Sequence, residues 1–147
     1  MQEHKYTVKT LEDTGRLMYA LVKRFSGDLG EFANYSLEEF FNHVKKIPYK
    51  KDPDGIEYLT RPEAFLKSYG RGQDCDDRAI TIGSWAKENG LQFRFIATGK
   101  HKDKPIHHVY PEILIGGKWI VADATYPENV LGYEIFKPER KQILKEN

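Results

Sequence analysis

Residues 107–125 read His-His-Val-Tyr-Pro-Glu-Ile-Leu-Ile-Gly-Gly-Lys-Trp-Ile-Val-Ala-Asp-Ala-Thr. Two strand-like runs, 107–115 and 118–125, flank Gly116-Gly117, and paired glycines that both tolerate positive φ mark a two-residue hairpin turn. If Ile115 pairs with Lys118, counting back sets Leu114 against Trp119, Tyr110 against Asp123 and His108 against Thr125. Even residues of the first strand then share a face with odd residues of the second. His108 and Asp123 become diagonal neighbours with Cα atoms about 7–8 Å apart, within side-chain reach. Tyr110 lies on the same face, opposite Asp123, where packing on that pair and ordinary cross-strand packing are equally good readings. His107 points to the other face. A bulge at Pro111, an awkward residue in a ladder, would break this parity.

Upstream of the hairpin, Phe93, Phe95 and Ala97 alternate with Gln92, Arg94 and Thr98, the period-two pattern of a half-buried strand, followed by a polar loop over 99–105. Before it a helix is expected to begin at Cys75. Asp74 is its N-cap, Asp76 and Asp77 occupy the positive first turn, and Cys75, Ala79, Ile82 and Ala86 form one stripe at helical spacing. A lone cysteine on such a stripe is most simply a packed small hydrophobe. Beside a histidine and an aspartate that meet on one sheet face, it also suits thiol nucleophile chemistry. A free thiol, with pKa about 8.5, is mostly protonated at neutral pH, and an imidazolium and a helix N-terminus favour the thiolate. Asp123 would orient the imidazole of His108 towards Cys75. Asp74, Asp76 and Asp77 oppose the thiolate unless their side chains cap the helix or face away; Asp77 is also placed to hold a neighbouring loop. For an oxyanion, the Cys75 N–H is the economical donor, with Gln73 or Tyr69 as the partner side chain.

Towards the N-terminus, Thr14, Met18, Leu21, Val22 and Phe25 form one helical face, ended by Ser26-Gly27. Ser36 and Glu39 make a capping box with Tyr35 and Phe40 as its staple, so a second helix starts at Leu37, buries Phe40, Phe41, Val44 and Ile47, and stops before Pro48. Residues 48–59 read as a surface loop, and Thr60 with Glu63 as the cap of a short helix running to Gly70. Trp85 and Trp119 are expected in the core. Beyond Tyr126, Leu131, Tyr133, Ile135 and Phe136 are candidates for packing in a tail without a clear pattern.

The 147 residues suit one domain, 1–147, with helices packed on a small antiparallel sheet in an α+β arrangement. Aromatics at 13% exclude a disordered chain, and 23 basic against 22 acidic residues leave a net charge of +1, which offers no field for nucleic acid or an anionic membrane. No apolar run is long enough to span a bilayer and the start carries no signal-peptide pattern, so the expected location is cytoplasmic. One cysteine excludes an internal disulfide. Successive strand residues diverge and no His-x-x-x-His spacing occurs, so His101, His107, His108 and Asp123 point to no metal site, and no cofactor is expected.

The segment Gln73-Asp74-Cys75-Asp76-Asp77-Arg78-Ala79 resembles the Gly-Asp-Cys-Asp-Asp-x-Ala signature of bacterial and phage members of the transglutaminase-like superfamily, cysteine enzymes sharing the core of papain-like proteases. Gly90-Leu91-Gln92-Phe93-Arg94-Phe95, His108-Val109-Tyr110-Pro111-Glu112-Ile113 and Trp119-Ile120-Val121-Ala122-Asp123-Ala124-Thr125 are similar to that family's next three motifs, in family order, over about residues 53–127. The departures are Gln73 where glycine is usual, Pro111 within the histidine strand, and Ala124 where proline is usual. The resemblance implies a papain-like core with Cys75 as nucleophile, His108 as general base and Asp123 as orienting acid. It implies a cysteine peptidase or amidase acting on a protein or peptide amide, with hydrolysis more expected than transfer to an amine. The competing expectation is an inactive member serving as a binding or assembly module, with a phage particle as one setting.

Overall fold

A computed structural model describes residues 3–6, 10–50, 57–67, 74–99, 108–134, 138 and 140–146. In chain order the elements are β1 (Glu3–Tyr6), α1 (Leu11–Phe25), a 3-10 segment (Ser26–Asn34), α2 (Leu37–Lys45), β2 (Glu57–Thr60), α3 (Pro62–Leu66), α4 (Cys75–Glu88), β3 (Phe93–Gly99), β4 (His108–Ile115), β5 (Lys118–Val121) and β6 (Arg140–Leu144). The arrangement is α+β. Four antiparallel strands in the order β5-β4-β3-β6 form the main sheet, and β1 with β2 form a separate antiparallel pair.

The helix termini follow local chemistry. Thr10 caps α1 by accepting the Asp13 N–H at 3.1 Å, and Met18, Leu21 and Val22 of the expected face are buried. At α2 the Ser36 hydroxyl accepts the Glu39 N–H and the Glu39 carboxylate accepts the Ser36 N–H, both at 3.1 Å, which satisfies two donors that a helix start leaves unpaired. Phe32 takes the place expected of Tyr35 above Phe40, its ring centroid 5.9 Å from Phe40 and 5.0 Å from Tyr35.

Helix α4 lies between the sheet and the other helices, so burial surrounds it from Asp76 to Ala86 instead of following one stripe. Gly83 permits this closeness: a Cβ there would stand 3.2 Å from the rings of Phe93 and Phe95. On the sheet side Phe95, Ala97 and Val109 join Met18, Leu21 and Ala79 in one cluster, and at the other end Phe40, Phe41, Phe65, Ile82, Trp85 and Ile113 form a second.

Three further expectations are corrected. Thr60 ends β2 and is buried; Arg61 is the N-cap of α3, which ends at Leu66, before Gly70, a position outside the described residues. Asp28 supplies the cap from a distance, accepting the Glu63 N–H at 3.2 Å while binding Arg61 at 2.6 Å. Residues 57–59, read as loop, pair with β1, because a partner strand 50 residues away leaves no local signature. Trp119 is half-buried on the outer sheet face under the Arg94 guanidinium, 4.0 Å from its ring, whereas Trp85 is buried as expected. In the tail, residues 140–144 form β6 against β3 and bury Leu144; Leu131 packs on the core, Tyr133 is exposed, and Ile135 and Phe136 lie outside the described residues.

Candidate active site

The β4–β5 register is the expected one: Glu112 pairs with Val121, Ile113 with Ile120, Leu114 with Trp119 and Ile115 with Lys118. Gly116 and Gly117 both have positive φ, +58° and +79°, as a tight hairpin of this hand requires. The ladder passes through Pro111 without a bulge, and the Pro111 carbonyl accepts the Ala122 N–H at 2.9 Å. A strand residue's N–H and C=O point the same way, so the donor Pro111 lacks would have faced the end of β5, where pairing stops anyway.

His108 is the first residue of β4 and Asp123 lies two residues past β5. His108 Nε2 and Asp123 Oδ2 are 2.7 Å apart, which leaves Nδ1 as the ring nitrogen turned from the aspartate. Asp123 is itself held. Its Oδ1 accepts the Thr125 N–H at 3.2 Å and the Thr125 hydroxyl at 2.6 Å, and its carbonyl accepts from Asn129 Nδ2 at 2.9 Å.

Cys75 opens α4 as a half-buried free thiol. Asp74 caps the helix by accepting the Asp76 N–H at 3.1 Å, and Asp77 reciprocates by accepting the Asp74 N–H at 3.3 Å. The backbone N–H of Val109, the residue after His108, lies close enough to the sulfur to favour the thiolate, and the S–H reaches Asp76 Oδ1 at 3.7 Å. The thiol thus lies beside the residue that follows His108 in β4, within reach of the Asp123 charge. Burial, then the carboxylates of Asp76 and Asp74, push the thiol well above its ordinary value; the Val109 N–H alone pulls the other way. Of the two opposing influences read from the sequence, the aspartates prevail with burial. Capping engages Asp74, but its charge and that of Asp76 still act on the sulfur across the low-dielectric interior.

Asp77 is fully buried. Its Oδ1 accepts the Thr60 N–H at 2.7 Å, tying β2 to the start of α4, and burial raises its carboxyl above the ordinary range. Tyr110 sets its ring 6.0 Å from that of His108, while its hydroxyl donates to Glu134, which Lys141 of β6 binds at 2.8 Å. Gln73, Tyr69, His101 and His107 lie outside the described residues. Among the described residues no group of three or more His, Cys, Asp or Glu side chains is placed to hold a metal ion, and no helix is long and apolar enough to cross a membrane.

Sequence reasoning missed the supports. Arg78, 1% exposed, sends its guanidinium into three carbonyls: Val44 at 2.8 Å, Ile47 at 2.6 Å and Ala124, next to Asp123, at 3.3 Å. A charged residue amid an apolar helix was the available signal. Thr125 was legible as Asp-x-Thr, a local turn pattern in which a hydroxyl returns to the carboxylate. Tyr126 stacks on His108 with centroids 6.0 Å apart and planes at 23°, and Tyr49 stacks behind it at 6.3 Å and 25°; nothing local marked either ring.

A model of the transglutaminase-like superfamily matches residues 9–124. No curated protein matches the chain. Among solved structures, a protein from Cytophaga hutchinsonii provisionally described as a cysteine protease superimposes with a TM-score of 0.48 at 17% identity, over 88% of this chain and 51% of that one. The chain thus spans about half the length of that protein.

Proposed function

The chain belongs to the transglutaminase-like superfamily, and from that premise we propose that it is a cysteine-dependent amide hydrolase or acyltransferase using Cys75, His108 and Asp123. The observation that carries this reading is the His108–Asp123 pair: Asp123 holds Nε2 of His108 at 2.7 Å, and the sulfur of Cys75 is near enough to the N–H of the adjacent residue, Val109, to be influenced by it.

Because burial and two carboxylates favour the neutral thiol at rest, His108 acts as a general base during attack instead of holding a preformed ion pair. Nδ1 takes the thiol proton as sulfur bonds to the amide carbon, and Asp123 stabilises the imidazolium. The Cys75 N–H, which as the first of a helix has no acceptor within it, faces the developing oxyanion; Gln73 or Tyr69 is the proposed second donor. Collapse breaks the C–N bond, the leaving amine takes the proton from His108, and a thioester remains. Water, losing its proton to His108, releases the acid and the thiol; an amine in the same place forms a new amide. The substrate class is a protein or peptide amide.

An acylating probe tests this. Labelling of the native chain is expected at Cys75, absent in Cys75→Ala and slowed on the order of a hundredfold in His108→Ala, with Asp123→Asn between and His107→Ala near the parent. Equal labelling of native and denatured chains overturns the proposal. That result favours the second reading, an inactive fold serving as a binding or assembly module, for which the raised thiol is the supporting observation.

A further inference from the structure

We infer that Tyr126, backed by Tyr49, is a positioning residue that holds the His108 ring between Asp123 and the thiol. The inference rests on the proposed chemistry for its purpose and on ring geometry for its substance.

A single hydrogen bond from Nε2 to Asp123 leaves the imidazole able to swing about that bond, and its other nitrogen has to stay aimed at sulfur. Tyr126 stacks on the ring with an offset, centroids at 6.0 Å and planes at 23°, whereas Tyr110, at the same distance, is tilted at 40°. Tyr126 is three residues past Asp123 and directly follows Thr125, whose N–H and hydroxyl bind the Asp123 carboxylate. One short segment therefore carries both the acid that holds Nε2 and the ring that sets the imidazole plane. Tyr49, beyond the end of α2, stacks on Tyr126 in turn, with centroids 6.3 Å apart. Both tyrosines are exposed residues, 47% for Tyr49 and 38% for Tyr126, so the stack lies at the surface beside the site and not in a core that packing alone would explain. Once His108 carries the thiol's proton, the same phenol face attracts the cation. Among the described residues, the charged and titratable groups around this ring are Cys75, Asp74 and Asp76 at α4, Asp123 and Glu128 after β5, and Glu134 behind Tyr110.

Nitrogen-15 spectra of the imidazole in the Cys75→Ala chain test this without requiring activity. His108 is expected as one tautomer with a ring-current shift. Tyr126→Leu should shift the ratio of held to released imidazole by about two- to fivefold, Tyr126→Phe should restore it, and Tyr49→Leu should have a smaller effect. In the chain with Cys75 intact, Tyr126→Leu should lower kcat by about the same factor with less change in KM. An unchanged His108 signature in Tyr126→Leu, or one that Phe fails to restore while the thermal midpoint is kept, overturns the inference. The expected spectra in a chain without turnover would uphold the positioning and overturn only the proposed reaction.

Discussion

Cys75 sits where two opposing effects meet. A helix start and a Val109 N–H favour its thiolate, while burial and the carboxylates of Asp76 and Asp74 favour the thiol, and the second set prevails. The rate of alkylation by iodoacetamide should therefore rise with pH through a midpoint above the free value of about 8.5. The same shift links to stability. An acid whose folded pKa is raised contributes stability that is complete below its unfolded pKa and lost as pH rises through the folded one. Denaturant midpoints of the parent should fall relative to Cys75→Ser above pH about 8.5 and run parallel to it below. A midpoint at or below the free value would show that the imidazole outweighs the aspartates.

At the scale of elements, the site is the junction of three segments that share no sequence proximity: the start of α4, the start of β4 and the turn after β5. Arg78 secures that junction, because one guanidinium fork joins the end of α2 to the carbonyl next to Asp123. Its removal leaves buried carbonyls without a donor, so Arg78→Met should destabilise the fold by about 3 kcal/mol in urea titrations. Arg78→Lys should recover little, since an ammonium cannot span acceptors set for a planar fork. Recovery of full stability by Lys would reduce the role of Arg78 to charge alone.

Across the whole molecule, the open edge of β3 is closed when β6 returns to pair with it. Leu144 of β6 is buried against α1, its carbonyl accepts from the Tyr19 hydroxyl at 2.9 Å, and its Cβ comes within 3.0 Å of where a side chain on Gly15 would begin. Leu144→Ala should cost about 2–5 kcal/mol, read as a fall in thermal midpoint; a loss under 1 kcal/mol would mean that β6 contributes little. This closure had no local signal, since Arg140–Leu144 mixes charged and apolar residues, and the pairing of β1 with β2 was hidden for the same reason. The sequence by itself determined what short range controls: the capping box at Ser36, the N-cap at Asp74, the φ > 0 turn at Gly116-Gly117 and, through the period of two, the side of the sheet that His108 shares with Asp123. Only the tertiary structure decided what depends on distant chain segments. It brought the sulfur near Val109, let burial side with the aspartates in raising the thiol, set Arg78 on the Ala124 carbonyl and stacked Tyr126 on His108. Hydrogen-bonded turns and alternation are properties of a few consecutive residues, whereas desolvation and ring packing are set by whatever the fold places alongside.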